Sequence, residues 1–262
     1  MFEINTTKIL LIALMFIRVG GVIYALPIFG EEQVPVRVKI LLGGALTFAL
    51  YPIVFETWSA GQFASLNHIE NFILLIAREL FIGLTLGYVA KLMIDGILMA
   101  SNLVGFQMGF GTAQLFLPTA DDKVTSFMAL NHILIIMIFL ALNYHHIYIQ
   151  AIYESFKVIP LGLAWPKARF FEFIVPLSAS MFVSAIQLAA PIVVALLFST
   201  MALGLIARTV PQVNVFIVSF PVNFYLGIVI YIATLPLMPG WLMTHFSGLS
   251  DSLNKTLTVL VR

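Results

Sequence analysis

The chain has 262 residues, a formal net charge of +1 and no cysteine; 61% of its residues are hydrophobic and 10% charged. Soluble domains run nearer 45–50% apolar and about 25% charged, so a water-soluble fold of this length is excluded, as are disulfides and thiolate metal sites. No basic tract is dense enough to follow a phosphate backbone, which argues against nucleic acid as a partner.

The apolar runs are long and lack the alternation of a transmembrane barrel, so the spanning structures are helices, in which every backbone polar group is satisfied internally. A span needs about 20 mostly apolar residues. Residues 1–8 lack the positive flank of a signal peptide, and the first span, residues 9–29, reads as a retained helix that contains Arg18. Residues 40–55 form a shorter candidate that ends near Pro52 and is expected to be tilted or partly embedded. Residues 72–99 are long enough to span but carry Arg78, Glu79, Lys91 and Asp95. Residues 127–142 follow, then a cluster of Asn143, Tyr144, His145 and His146 that reads as interfacial. Residues 170–207 exceed one simple span, with Pro176 and Pro191 as expected points of bending or breakage. Residues 213–238 are the last candidate, and Leu249, Leu253, Leu257 and Leu260 make the tail an amphipathic helix. Lys and Arg are too scattered to set an orientation. Without an internal repeat or a linker, residues 1–262 read as a single domain.

No nucleophile elbow, zinc-protease helix or phosphate loop is present, so neither catalysis nor a cofactor is expected. The notable residues are of two other kinds. Arg18, Arg78, Glu79, Lys91, Asp95 and Arg208 are charges in or beside apolar spans, and such charges need partners in the fold, in another subunit or in a wet cavity. Lys91 and Asp95 are four apart and able to pair, whereas consecutive Arg78 and Glu79 face different ways. The second kind is the stretch from Gly105 to Pro118. Gly105, Gly109 and Gly111 free its backbone, while Phe106, Met108, Phe110, Leu115, Phe116 and Leu117 keep it apolar around Gln107. Two readings stand: a glycine-kinked helix with an ordinary apolar face, or a compact apolar loop that closes a pore by keeping it dry.

Several short motifs are spread along the chain: Arg18, Pro27-Ile-Phe-Gly30, Val34-Pro-Val-Arg37, Glu79 with Gly83 and Gly87, Gln107-Met-Gly109, Asn143-Tyr-His-His146, Ser155-Phe156, Pro160 and Gly162. Pro191, Leu203-Gly-Leu205, Arg208, Pro211-Gln212, Asn214-Val-Phe216, Phe220-Pro221 and Gly227 complete the set. In order and spacing, and over nearly the whole chain, these motifs resemble the FliR family of flagellar biosynthesis proteins, whose injectisome relative is SctT. Val213 replaces a frequent methionine, and Leu117 stands where an acidic residue is common. The resemblance implies an all-α, polytopic membrane protein of bent and broken helices that assembles with FliP and FliQ into a helical export gate. Unfolded substrates would cross the bacterial inner membrane through its pore, at the flagellar basal body. FlhB would sit on the cytoplasmic side and the complex would rise toward the periplasm. The resemblance maps the family's plug onto Gly105 to Pro118 and onward to Lys123. The rival reading is a secondary transporter of a small solute, which also uses broken helices and intramembrane charges.

Overall fold

The computed structural model describes residues 6–26, 29, 34–57, 69–110, 126–161, 168–212 and 214–261. Among these, all regular structure is helical: α1 (Thr6–Ala25), α2 (Val36–Thr57), α3 (Ile69–Gln107), α4 (Ser126–Ala141), α5 (Tyr144–Val158), α6 (Ala168–Thr209), α7 (Val215–Thr234), a 3-10 turn (Leu235–Leu237) and α8 (Met238–Val261). Among the described residues, five stretches are long and apolar enough to cross a bilayer: Lys8–Ala25, Val36–Phe55, Phe72–Gln107, Phe170–Thr209 and Ile217–Leu260. The broken pair α4–α5 makes a sixth if counted as one span.

Proline and asparagine chemistry sets several helix ends. α1 stops two residues before Pro27, and α2 starts after Pro35, whose carbonyl accepts from Val38 N at 2.9 Å. Asn143, at φ 57°, separates α4 from α5, a left-handed conformation that asparagine tolerates. Ile159 caps α5 just before Pro160. The Asn214 carbonyl accepts from Ile217 N at 3.1 Å to start α7.

Two expectations are corrected. α2 runs through Pro52 to Thr57 and reaches 22 residues, a full span. α6 continues through Pro176 and Pro191 for 42 residues, so neither proline breaks it. A proline removes one helical hydrogen bond, and in an apolar medium no water competes for the remaining ones. The cluster of Tyr144, His145 and His146 opens a helix, α5, that runs on to Val158; Gln150, Glu154 and Lys157 hide it from a search for apolar runs. At 1.5 Å per residue, α3 and α6 are each roughly 60 Å long, about twice the bilayer core.

The chain divides into two compact units. The first comprises Met1–Met93, Asn143–Ser178 and Phe246–Arg262. Its centre is a seam between α1 and α3 made of small residues four apart: Gly21 and Ala25 on α1, Gly83 and Gly87 on α3. A methyl group at Gly21 would lie 3.2 Å from the Leu80 carbonyl oxygen, and one at Gly83 would collide with the Arg18 carbonyl. In the same unit Leu249, Leu253, Leu257 and Leu260 of α8 are all buried, as the amphipathic pattern requires. The second unit, Ile94–Leu142 with Ala179–His245, has a core built on Ala100, Val104, Met108, Ala185, Ala189 and Leu196.

The seam predicts an asymmetry between neighbouring glycines. Gly83→Ala should destabilise the first unit by about 1–3 kcal/mol, the cost of overpacking a rigid contact. Gly20→Ala, with nothing within 4 Å, should be neutral or stabilising by up to about 1 kcal/mol. Thermal unfolding of the purified assembly would read both. A Gly83→Ala variant as stable as Gly20→Ala would dissolve the seam.

Candidate functional site

One turn before the glycine seam, α1 and α3 bury a charge pair. Arg18 and Glu79 are both fully buried, and Arg18 Nε donates to Glu79 Oε2 at 2.6 Å. Arg18 Nη1 donates to the carbonyls of Ser155 at 3.0 Å and Ile159 at 2.9 Å, at the C-terminal end of α5. The guanidinium carbon lies 4.6 Å from the centre of the Phe156 ring. One side chain thus joins α1, α3 and α5. The arrangement uses the planar fork of arginine and the negative end of a helix dipole, which a lysine point charge would serve less well. Glu79, expected to find its partner elsewhere in the fold or in another subunit, meets Arg18 in its own chain.

The second site begins at the end of α3. Gly105, Phe106 and Gln107 remain helical, so Gly105 is not where the helix stops. The stop is at Gly109, whose φ of 94° disfavours any side chain and whose N–H bonds the Phe106 carbonyl at 3.0 Å. Met108 is fully buried against Gly227 of α7, where a methyl group would lie 2.6 Å from Met108 Cγ. Phe110 stacks on Phe127 with centroids 5.7 Å apart and meets Phe224 edge-on at 5.5 Å. Met108 and Phe110 therefore anchor the segment to the second unit, while Phe106 is 73% exposed. Gly111, Leu115, Phe116, Leu117, Pro118 and Lys123 lie outside the described residues.

The other charges lie differently. Arg78 and Asp95 are half-buried and Lys91 is exposed. Arg208 is exposed in the last turn of α6, where a cation complements the helix dipole. Two polar networks had no sequence signal. Ser199 Oγ donates to Asn223 Oδ1 at 2.8 Å while Asn223 Nδ2 donates to Thr200 Oγ1 at 3.2 Å, tying α6 to α7. Tyr231 Oη donates to Asn131 Oδ1 at 2.9 Å, tying α7 to α4. Hydroxyl and amide side chains are ordinary in apolar helices, and only their juxtaposition marks these.

Against known proteins, residues 9–249 match the family described as bacterial export proteins, family 1. The flagellar biosynthetic protein FliR of Bacillus subtilis strain 168 is 33% identical over 222 residues, 84% of this chain and 83% of the relative. FliR of Pectobacterium carotovorum subsp. carotovorum is 30% identical over 249 residues, covering 94% and 92%. FliR of Escherichia coli K12 is 27% identical over 241 residues, covering 90% and 88%. With a match this long and relatives this similar along nearly their whole length, the chain belongs to family 1 of the bacterial export proteins, the FliR family.

Proposed function

We propose that the chain is a non-catalytic subunit of the flagellar type III export gate in the bacterial inner membrane. In this reading residues 1–262 act as one domain that joins FliP and FliQ around a pore for unfolded substrates. FlhB lies at its cytoplasmic side, and residues 105–118 close the resting pore. Family membership supports the export role. Family membership also supports assembly, and the apolar surface of α6 and α7, where Phe182, Ile186, Phe198, Met201, Tyr225 and Ile232 are all exposed, is open to subunits as it is to lipid. Surface of this extent has to be covered by lipid or by neighbouring subunits.

Co-expression tests the reading. Made alone in membranes, the chain should be heterogeneous and protease-sensitive; made with the two small hydrophobic partners, it should co-purify with them as one species. A monodisperse, protease-resistant monomer that gains nothing from the partners would refute the gate assignment, and solute-dependent stabilisation of such a monomer would favour a secondary transporter.

A further inference from the structure

The second unit contains a cavity of about 180 Å³. Its walls are mostly apolar and include Ala100, Val104, Phe127, Ala189 and Ile192. A dry apolar hole of roughly 150 Å³ is enough to take up benzene. We propose that this cavity is a binding site for small phenol-type amphiphiles, with the ring against the apolar walls and the hydroxyl donating to the Gln187 carbonyl.

The polar end of the cavity specifies the hydroxyl. Pro191 has no N–H, so the Gln187 carbonyl, four residues earlier in α6, lacks the donor that would close its helical hydrogen bond. Both residues line the cavity and both are exposed, so the turn of α6 that carries the freed carbonyl borders the cavity. The neighbouring hydroxyls do not supply the missing donor. Ser101 Oγ donates to the Ile97 carbonyl at 3.2 Å, Thr234 Oγ1 to the Tyr231 carbonyl at 3.0 Å, and Tyr231 Oη to Asn131 at 2.9 Å. An acyl chain brings no donor, and water wets only the polar end, because it needs two to four polar partners that the apolar walls do not offer. A ligand with one hydroxyl on an apolar ring satisfies both ends. Once bound, it replaces the hydrogen bond that α6 lacks at Pro191.

Photolabelling tests the site in the intact gate, purified with its partner subunits in lipid nanodiscs. The probes are a diazirine-bearing propylphenol and the same molecule without its hydroxyl. The phenol should label saturably, on peptides that carry Asn131 or Tyr231, and 4-propylphenol should displace it. The probe without a hydroxyl should bind about tenfold more weakly, the equivalent of one neutral hydrogen bond. Two variants separate the apolar and polar requirements. Ala189→Phe fills the cavity and should abolish labelling by both probes. Pro191→Ala restores the N–H, closes it onto Gln187 and should weaken the phenol about tenfold more than the probe without a hydroxyl, which loses only the ring's contact with the wall. This second variant improves the helix, so it keeps the test alive if Ala189→Phe fails to assemble. Labelling that does not saturate, is equal for the two probes, is absent from the assembled gate or is indifferent to Pro191→Ala would overturn the proposal.

Discussion

Replacing Arg18 with alanine should destabilise the first unit by about 3–5 kcal/mol, since breaking a buried pair leaves an uncompensated charge on its partner. Glu79 would remain fully buried and lose its ion-pair partner, and the Ile159 carbonyl would lose the donor it has in Arg18 Nη1. The order of a variant series carries the information. Glu79→Gln keeps an acceptor near Arg18 and leaves the guanidinium its two carbonyls and the Phe156 face, so it should cost less. Removing both charges, as Arg18→Met with Glu79→Leu, eliminates the stranded charge and should recover most of the loss. Recovery should be incomplete, by about 1–3 kcal/mol, because a carbonyl buried at the end of α5 is still without its donor. Assembly yield and unfolding temperature of the complex would rank the variants. A double variant as damaging as Arg18→Ala alone would show that the pair itself contributes little and that only the α5 carbonyls matter.

How much of this centre can be read from the chain depends on the kind of information involved. A charge inside an apolar span announces a need for a partner, and both Arg18 and Glu79 stand out for that reason. Their pairing does not, because 61 residues separate them and contact requires the close approach of α1 and α3. Gly21, Gly83 and Gly87 make that approach possible, yet glycines four apart occur in many apolar helices that pack on nothing in particular. The Ser155 and Ile159 acceptors are backbone atoms and carry no residue signature at all. The α8 leucines are the opposite case: their spacing alone states which face is buried, and the structure buries that face.

Glycine and proline misled for one common reason. In water, Gly105 or Pro191 would be a plausible place for a helix to end, because solvent can satisfy the freed backbone groups. Within α3 and α6 the helix continues through both, and the chain turns only at Gly109, where φ becomes positive. At membrane depth, abandoning the helix leaves backbone groups that nothing satisfies, so one unfavourable residue is absorbed. Counting glycines in the 105–111 stretch therefore overstates its irregularity, and the described part of the stretch divides into a helical end and an anchored turn.

That division sharpens the largest functional effect expected of the gate. Met108 and Phe110 are packed into the second unit, so a deletion that includes Phe110 would combine loss of a plug with loss of core packing. Deleting residues 111–117 instead spares both anchors. If residues 105–118 close the resting pore, gates carrying this deletion should assemble at near wild-type yield and conduct ions continuously in planar bilayers, where the wild-type gate stays shut. Bulky apolar side chains block ions by keeping a constriction dry, so the ion barrier goes with them. Phe110→Ala should do the reverse, removing the stacking partner of Phe127 at a cost of about 3 kcal/mol, lowering yield without opening the gates that form. A kinked helix with no sealing role predicts another pattern, since losing seven residues, close to two turns, would disturb packing and abolish assembly. The two readings thus differ in which variant assembles and which conducts, and a gate lacking residues 111–117 that assembles and remains as tightly closed as wild type would eliminate the plug.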